Sequence, residues 1–279
     1  MVKIKLFKIA SIALCLVALP AVAQTPHVFV PGFLDPQKRI DKPDLAGLHA
    51  IRFLTEEDYP PFHFAMPDGS LAGFDVDIAR AICDELRVTC TIQQRRFDLL
   101  APALNGDEGD ALIASLRINA ANRAKFDFTA PYYTTPARFV AKADSGLDVA
   151  PGRLAGKKIG VMQKSAHEAY LTAFLPGVTR QSYETRAAMH AALQSGEIDA
   201  FFDDGVTSEL WLLAADSQNC CAFVGGPYTE SRYFGEGVGI AVKKGNNLLR
   251  RALDYALAQL ARNGTHTDLY LKYFPLGFY

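Results

Sequence analysis

The chain has 279 residues, 49% of them hydrophobic and 21% charged, with 21 Gly and 15 Pro. Those values exclude a disordered chain, a collagen-like repeat and a small disulfide scaffold, and the length suggests about two domains. Its 29 Lys and Arg against 30 Asp and Glu show no basic excess, so no nucleic acid is expected as a partner.

Residues 1–23 read as a secretory signal peptide. Lys3, Lys5 and Lys8 form a cationic start, Ile9 to Leu19 an uncharged apolar run, and Ala21-Val22-Ala23 a cleavage site. The run is too short for a permanent membrane anchor, and Leu14 before Cys15 argues against lipidation. The mature chain is expected to start at Gln24, exported and soluble. Residues 24–47, rich in Pro, Asp and Gly, read as an extended arm. From Ala50 short apolar runs alternate with amphipathic stretches, which predicts an α/β protein. Ile51-Arg52-Phe53-Leu54 is a strand, Tyr59-Pro60-Pro61-Phe62 a turn and Asp68-Gly69 a hairpin turn. Asp75 is expected to cap a helix that buries Ile78, Ile82 and Leu86. Asn247 to Asn263 reads as a closing helix with Leu249, Leu253, Ala256, Leu257 and Leu260 on one face, ended by Asn263-Gly264.

Once the signal is gone, Cys83, Cys90, Cys220 and Cys221 remain. Four cysteines in an oxidising compartment suggest two disulfides, with three connectivities open. A bridge from Cys83 to Cys90 would staple the end of the first helix. For Cys220-Cys221 a strained vicinal bridge and two buried thiols stay open alike. No metal site or cofactor is expected, because there is no C-x-x-C and the six His are scattered.

An internal repeat is the most informative feature. Ala103 to Ser115 matches Ala192 to Asp204 without a gap: a helix end, a Gly turn, an Asp-Ala step, then a buried strand with a polar residue at its carboxyl end. In open α/β sheets ligands collect outside those ends, so Ser115 and Asp204 are expected to share one crevice.

Seven short motifs then fall in a telling order. They are Asp58-Tyr59-Pro60-Pro61-Phe62, Gly73-Phe74-Asp75-Val76-Asp77, Gly109-Asp110-Ala111, Phe126-Asp127-Phe128-Thr129 with Pro131-Tyr132-Tyr133, Gly156-Lys157-Lys158-Ile159-Gly160-Val161, Ile198-Asp199-Ala200 and Gly264-Thr265. In this order and spacing the chain resembles the family-3 periplasmic solute-binding proteins, the polar amino-acid receptors of ABC importers. The resemblance implies a type II periplasmic binding protein fold: two lobes, each a mostly parallel sheet flanked by helices, closing by a hinge on a ligand between them. Lobe one would comprise 24–136 plus 234–279 and lobe two 137–233, with crossings near Thr134–Pro136 and Phe234–Gly237. A periplasmic monomer that hands an amino acid to a membrane permease is implied. The Cys83/Cys90 pair also resembles the disulfide of the histidine- and lysine/arginine/ornithine-binding branch.

A free amino acid needs an anion for its ammonium, an arginine for its carboxylate and a specificity surface. Asp204 matches the family's ammonium-binding Asp, with Asp203 as competitor. Ser115 offers a hydroxyl and an amide. Ser165 aligns with a second-lobe hydroxyl contact, although Lys164-Ser165-Ala166 stands where the family has Gly-Thr-Thr. Tyr59 and Phe97 match ligand-stacking aromatics, with core packing as the alternative. Glu56 matches a position that is acidic where cationic side chains bind, with an exposed ion pair as the alternative. For the carboxylate the family runs Ser-Ile-Thr-Pro-Glu-Arg. Here the run is Arg117-Ile118-Asn119-Ala120-Ala121-Asn122-Arg123, one residue longer before its arginine. Arg123 is preferred and Arg117, in the Ser position, is the alternative.

Other chemistries are weaker. Gly235-Glu236-Gly237-Val238-Gly239 lacks the Lys-Ser/Thr of a phosphate loop and reads as the return crossing. His167-Glu168 has no nucleophile placed beside it, so no enzyme is expected. The enzymatic alternative is a cyclohexadienyl-dehydratase-like activity, with Glu56 as general acid.

Overall fold

The computed structural model describes residues 40–279 together with Val28 and Gly32. The expected signal segment 1–23, Cys15 and most of the 24–47 arm lie outside the described residues.

From the N-terminal side come β1 (Ala50–Thr55), the short strands β2 (Asp58–Tyr59), β3 (His63–Ala65) and β4 (Leu71–Ala72), then α1 (Phe74–Leu86). β5 (Thr89–Gln94), α2 (Phe97–Asn105), β6 (Ala111–Leu112), α3 (Ala120–Arg123) and β7 (Phe126–Phe128) follow. Next are β8 (Ala137–Lys142), β9 (Lys158–Met162), α4 (Ala166–Phe174), β10 (Thr179–Tyr183), α5 (Arg186–Ser195), β11 (Ala200–Asp204) and α6 (Gly205–Leu213). The chain ends with β12 (Cys221–Tyr228), α7 (Ser231–Phe234), β13 (Ala241–Lys243), α8 (Asn247–Arg262) and α9 (Thr265–Tyr273).

Two five-stranded sheets result, in the orders β5-β1-β6-β13-β7 and β10-β9-β11-β8-β12. Both are built alike: three parallel strands, then two antiparallel pairings. In each sheet four strands run the same way and one, β13 or β8, opposes them, so the sheets are mixed but mostly parallel, as expected. The strands that follow the crossings, β13 and β8, enter against the parallel set because each comes from the other sheet.

The repeat has a physical basis. Arg52 at the start of β1 donates its amide to Asp110 Oδ2 at 2.7 Å, while the Asp110 amide donates to the Arg52 carbonyl. The same reciprocal pair joins Lys158 of β9 to Asp199, with the Lys158 amide 2.8 Å from Oδ2. The Asp of each copy thus pins a strand to its parallel neighbour.

Helix faces follow the apolar spacing. Ile78, Ile82 and Leu86 of α1 and Leu249, Leu253, Ala256, Leu257 and Leu260 of α8 are all buried. Two expectations are corrected here. Asp75 does not cap α1; Gly73 holds the cap position at φ 123°, where a Cβ would lie 2.2 Å from the Phe62 carbonyl oxygen. Asp75 sits in the first turn and points inward, because it has buried partners elsewhere. Nor does α8 close the fold: Gly264 turns the chain at φ 87° into α9, whose Tyr270 is buried against Phe274 and Phe278.

The chain passes between the sheets twice, and the two passages pair with each other. The Tyr132 amide donates to the Val238 carbonyl, and the Val238 amide to the Tyr133 carbonyl, both at 2.9 Å. The C-terminal residues form a further link, since the amides of Leu276 and Gly277 donate to Glu209 Oε1 on α6.

Both cysteine pairs are bonded, Cys83 to Cys90 and Cys220 to its neighbour Cys221, so the vicinal bridge is the alternative realised. The first joins α1 to β5 across a sequence separation of 7. Closing so short a loop is worth roughly 2.5 kcal/mol in the chain-entropy account. A Cys83→Ala/Cys90→Ala variant is therefore expected to unfold in urea at a lower midpoint by that amount of free energy, with an unchanged slope.

Candidate functional site

On the first-sheet side the site grows from Ser115, just beyond β6, at φ 52°. Its amide and its hydroxyl each donate to Asp75 Oδ2 at 2.9 Å, while the Tyr132 hydroxyl donates to Oδ1 at 2.7 Å. Asp75 has no exposed surface, and burial pushes its carboxyl up to about 7 against those three bonds. Beside it stands a stack of rings. Tyr59 lies on Phe62 at 5.2 Å, and Phe62 on Tyr133 at 4.9 Å. Phe62 and Tyr133 are buried, whereas Tyr59, at the outer end, is 49% exposed.

The Tyr59 hydroxyl locates the opposite wall. Burial and the Asp204 charge raise its pKa, and Arg117 and Arg186 lower it, so all three charges act on one phenol. Asp204 and Arg186 belong to the second sheet's elements; Arg117 belongs to the first and bridges to Val238 in the return passage.

On the second-sheet side Asp203 is buried, and Arg186 grips it with both donors: Nε to Oδ2 at 2.5 Å and Nη2 to Oδ1 at 3.2 Å. That bond holds the Arg186 guanidinium above its usual pKa. His167 Nδ1 lies 3.7 Å from Asp203 Oδ1, with its ring stacked on Phe234 at 5.2 Å. Burial lowers the His167 pKa despite the neighbouring acids. Asp204, at the end of β11, caps α6, its Oδ1 accepting from the Thr207 amide at 2.9 Å and hydroxyl at 3.0 Å. Both bonds use the same oxygen.

The sequence-derived candidates therefore separate. Tyr59, Ser115, Arg117 and Asp204 come together. Ser115 differs from expectation in what it can give: its amide and hydroxyl hydrogen are committed to Asp75, so it offers lone pairs. Ser165 is likewise occupied. It caps α4, its hydroxyl accepting from the Glu168 amide and donating to the Met162 carbonyl at 2.6 Å. Arg123 instead forms an exposed ion pair with Glu236 at 2.6 Å, reached across 113 residues of chain. Glu56 is half-buried in the link between β1 and β2, three residues before Tyr59, its carbonyl 3.2 Å from His63 Nδ1. Phe97 opens α2 with 56% of its surface exposed. Sequence reasoning missed Asp75, Tyr133 and Arg186. Asp203 carried a signal: an acid directly after Phe201-Phe202 in a buried strand requires a partner.

Comparison with known proteins now settles the kinship. Residues 51–276 match the profile of the bacterial extracellular solute-binding proteins, family 3. The chain belongs to this family. Among its relatives, the L-arginine-binding protein of Pseudomonas aeruginosa is 40% identical over 239 residues, covering 85% of this chain and 92% of that protein. The lysine/arginine/ornithine-binding periplasmic protein of Escherichia coli K12 is 31% identical over 231 residues, covering 82% and 89%. An ancestral cationic amino acid solute-binding protein superposes with a TM-score of 0.61 at 27% identity, covering 82% and 97%. The L-cystine solute receptor of Neisseria gonorrhoeae, at 0.71 and 23%, covering 83% and 94%, shares the fold. The family-3 protein accordingly has the two-lobed type II architecture.

Arg186 is the partner that makes a buried Asp203 tolerable. Arg186→Ala is expected to cost about 2 kcal/mol, less than a fully buried pair because the guanidinium is half-exposed to solvent. Urea titrations of the wild type and the variant at pH 7 would show the deficit.

Proposed function

We propose that this family-3 protein is the periplasmic receptor of an ABC importer and captures an amino acid with a cationic side chain, arginine first. The carrying observation is the surround of Tyr59, where the Asp204 anion and the Arg117 cation act on one half-exposed ring. That is the charge pair a zwitterion's ammonium and carboxylate require. Arg186 already neutralises Asp203, which leaves Asp204 for the ammonium. Glu56 supplies an acid for a cationic side chain, and Tyr59 and Phe97 supply aromatic faces. The kinship with proteins named for arginine and for lysine, arginine and ornithine supports the same choice.

In this reading residues 24–136 with 234–279 form lobe one and residues 137–233 lobe two. They close on the ligand as a monomer, which then delivers it to a membrane permease. Residues 1–23 direct export and are removed. Ser165 contributes through the α4 N-terminus it caps, not through a free hydroxyl. The protein binds without catalysis, so incubation with prephenate or arogenate should yield neither phenylpyruvate nor phenylalanine.

Calorimetry against L-arginine, L-lysine, L-ornithine and L-histidine tests the ligand. Absence of heat with all four would remove the cationic assignment. Between the two candidate clamps the reading commits to Arg117. Arg117→Ala is expected to weaken arginine binding by about thirtyfold or more, a loss of roughly 2 kcal/mol. Arg123→Ala should change it less than about threefold, because an exposed ion pair contributes little.

A further inference from the structure

We propose that Asp75 is a positioning residue for the cleft: by taking both the amide and the hydroxyl hydrogen of Ser115, it makes Ser115 a pure acceptor that receives a hydrogen bond from the ligand's ammonium. This rests on the amino-acid reading above.

Asp75 reaches its place because Gly73 turns the chain so that the first turn of α1 faces the core. The carboxylate is fully buried, and among the described residues no lysine or arginine is bonded to it. The groups that face it come from four directions. His63 of β3 puts Nε2 3.9 Å from Oδ2. Ser115 lies beyond β6, and Tyr132, with buried Tyr133 beside it, lies in the first passage between the sheets. Tyr59 senses the charge from the outer end of the ring stack.

His63 explains the arrangement further. Its Nδ1 is 3.2 Å from the Glu56 carbonyl, an oxygen that can only accept, so Nδ1 carries the hydrogen. Burial holds the ring neutral, its pKa down to about 4, which leaves Nε2 as a buried lone pair with no hydrogen-bond partner among the described residues. That lone pair faces an Asp75 oxygen. One proton between them relieves the contact, and its loss leaves an anion braced by Ser115 and Tyr132 alone.

The charge state of Asp75 thus sets the polarity of Ser115. When Asp75 is ionised, the Ser115 amide and hydroxyl must both donate to it. When Asp75 is protonated, it has a hydrogen of its own to place, and the Ser115 hydroxyl is free to turn and donate elsewhere. The left-handed backbone of Ser115, unusual for a serine, is what brings its amide and hydroxyl to one oxygen. An ammonium ligand favours the ionised form, so binding should strengthen as pH rises through neutrality, where burial places the Asp75 carboxyl at about 7.

The test measures L-arginine affinity calorimetrically at pH 5.5, 7 and 8.5 for the wild type, Asp75→Asn and Ser115→Ala. The wild type is expected to gain about tenfold between the extremes, the linkage of one pKa unit. Asp75→Asn keeps the shape but not the charge. It should bind about tenfold more weakly at pH 8.5 and show a flat profile, while Ser115→Ala should lose affinity mainly at pH 8.5. An Asp75→Asn protein with wild-type affinity and slope would overturn the proposal. A second readout needs neither variant nor ligand: the amide resonance of Ser115 in the wild-type protein should titrate with a midpoint near neutrality. A resonance that stays fixed from pH 5.5 to 8.5 would also overturn it. If arginine fails to bind while that resonance titrates, the positioning role of Asp75 stands and only the ligand assignment falls.

Discussion

Each sheet depends on a carboxylate that pins its first strand. Asp110 and Asp199 exchange amide and carboxylate bonds with Arg52 and Lys158, and so fix the register of β6 on β1 and of β11 on β9. With that register set, the chain runs five residues further in each case and delivers a polar group at the strand's carboxyl end: Ser115 in one sheet and Asp204 in the other. The two-lobed receptor is thus one device used twice. The two copies end on different residues, a serine hydroxyl bonded to Asp75 in one and a carboxylate that caps α6 in the other. A slip of one residue in either pairing would turn those groups to the opposite face.

What the sequence made legible was local or periodic. The apolar faces of α1 and α8, the turn at Asp68-Gly69 and the thirteen-residue repeat all follow from spacing, and the structure contains them. The pairing of polar side chains was not legible, because partners far apart in sequence compete with local roles. Asp75 follows a glycine at a helix start and so reads as a cap, yet Ser115, 40 residues away, and Tyr132, 57 away, claim it for the interior. Ser165 runs the other way. Placed by motif as a ligand contact, its hydroxyl is taken up by the Ser-x-x-Glu cap it forms with Glu168. Arg123 sits where a clamp was sought, but Glu236 in the return passage holds it at the surface.

The passages between the sheets are not passive links. Tyr132 lies in the first and is bound three ways: its amide to Val238 of the second passage, its carbonyl to His266 Nε2 of α9, and its hydroxyl to Asp75. A rotation of the lobes that disturbs this pairing is transmitted to the residue that fixes Ser115. The C-terminal residues add a tie on the far side, where Glu209 receives two amides and the Thr134 hydroxyl lies 3.0 Å from that of Tyr279. The passages between the sheets and the loop that carries Ser115 are therefore joined by one continuous set of hydrogen bonds.

Charge allocation in the cleft completes the logic. Two adjacent acids at the end of β11 would repel each other and compete for one ammonium. The fold separates their tasks by burial. Asp203 is drawn into the second lobe and cancelled by Arg186, while Asp204 stays half-buried, with one oxygen spent on capping α6 and the other outside that cap. Arg117, exposed beside the first lobe's ring stack, supplies the opposite sign. Under the proposed reading, this pair of opposite charges favours a ligand that carries both over one that carries either alone. Under the proposed amino-acid reading, discrimination among side chains falls to Glu56, Tyr59 and Phe97, of which Glu56 is half-buried and both rings are exposed.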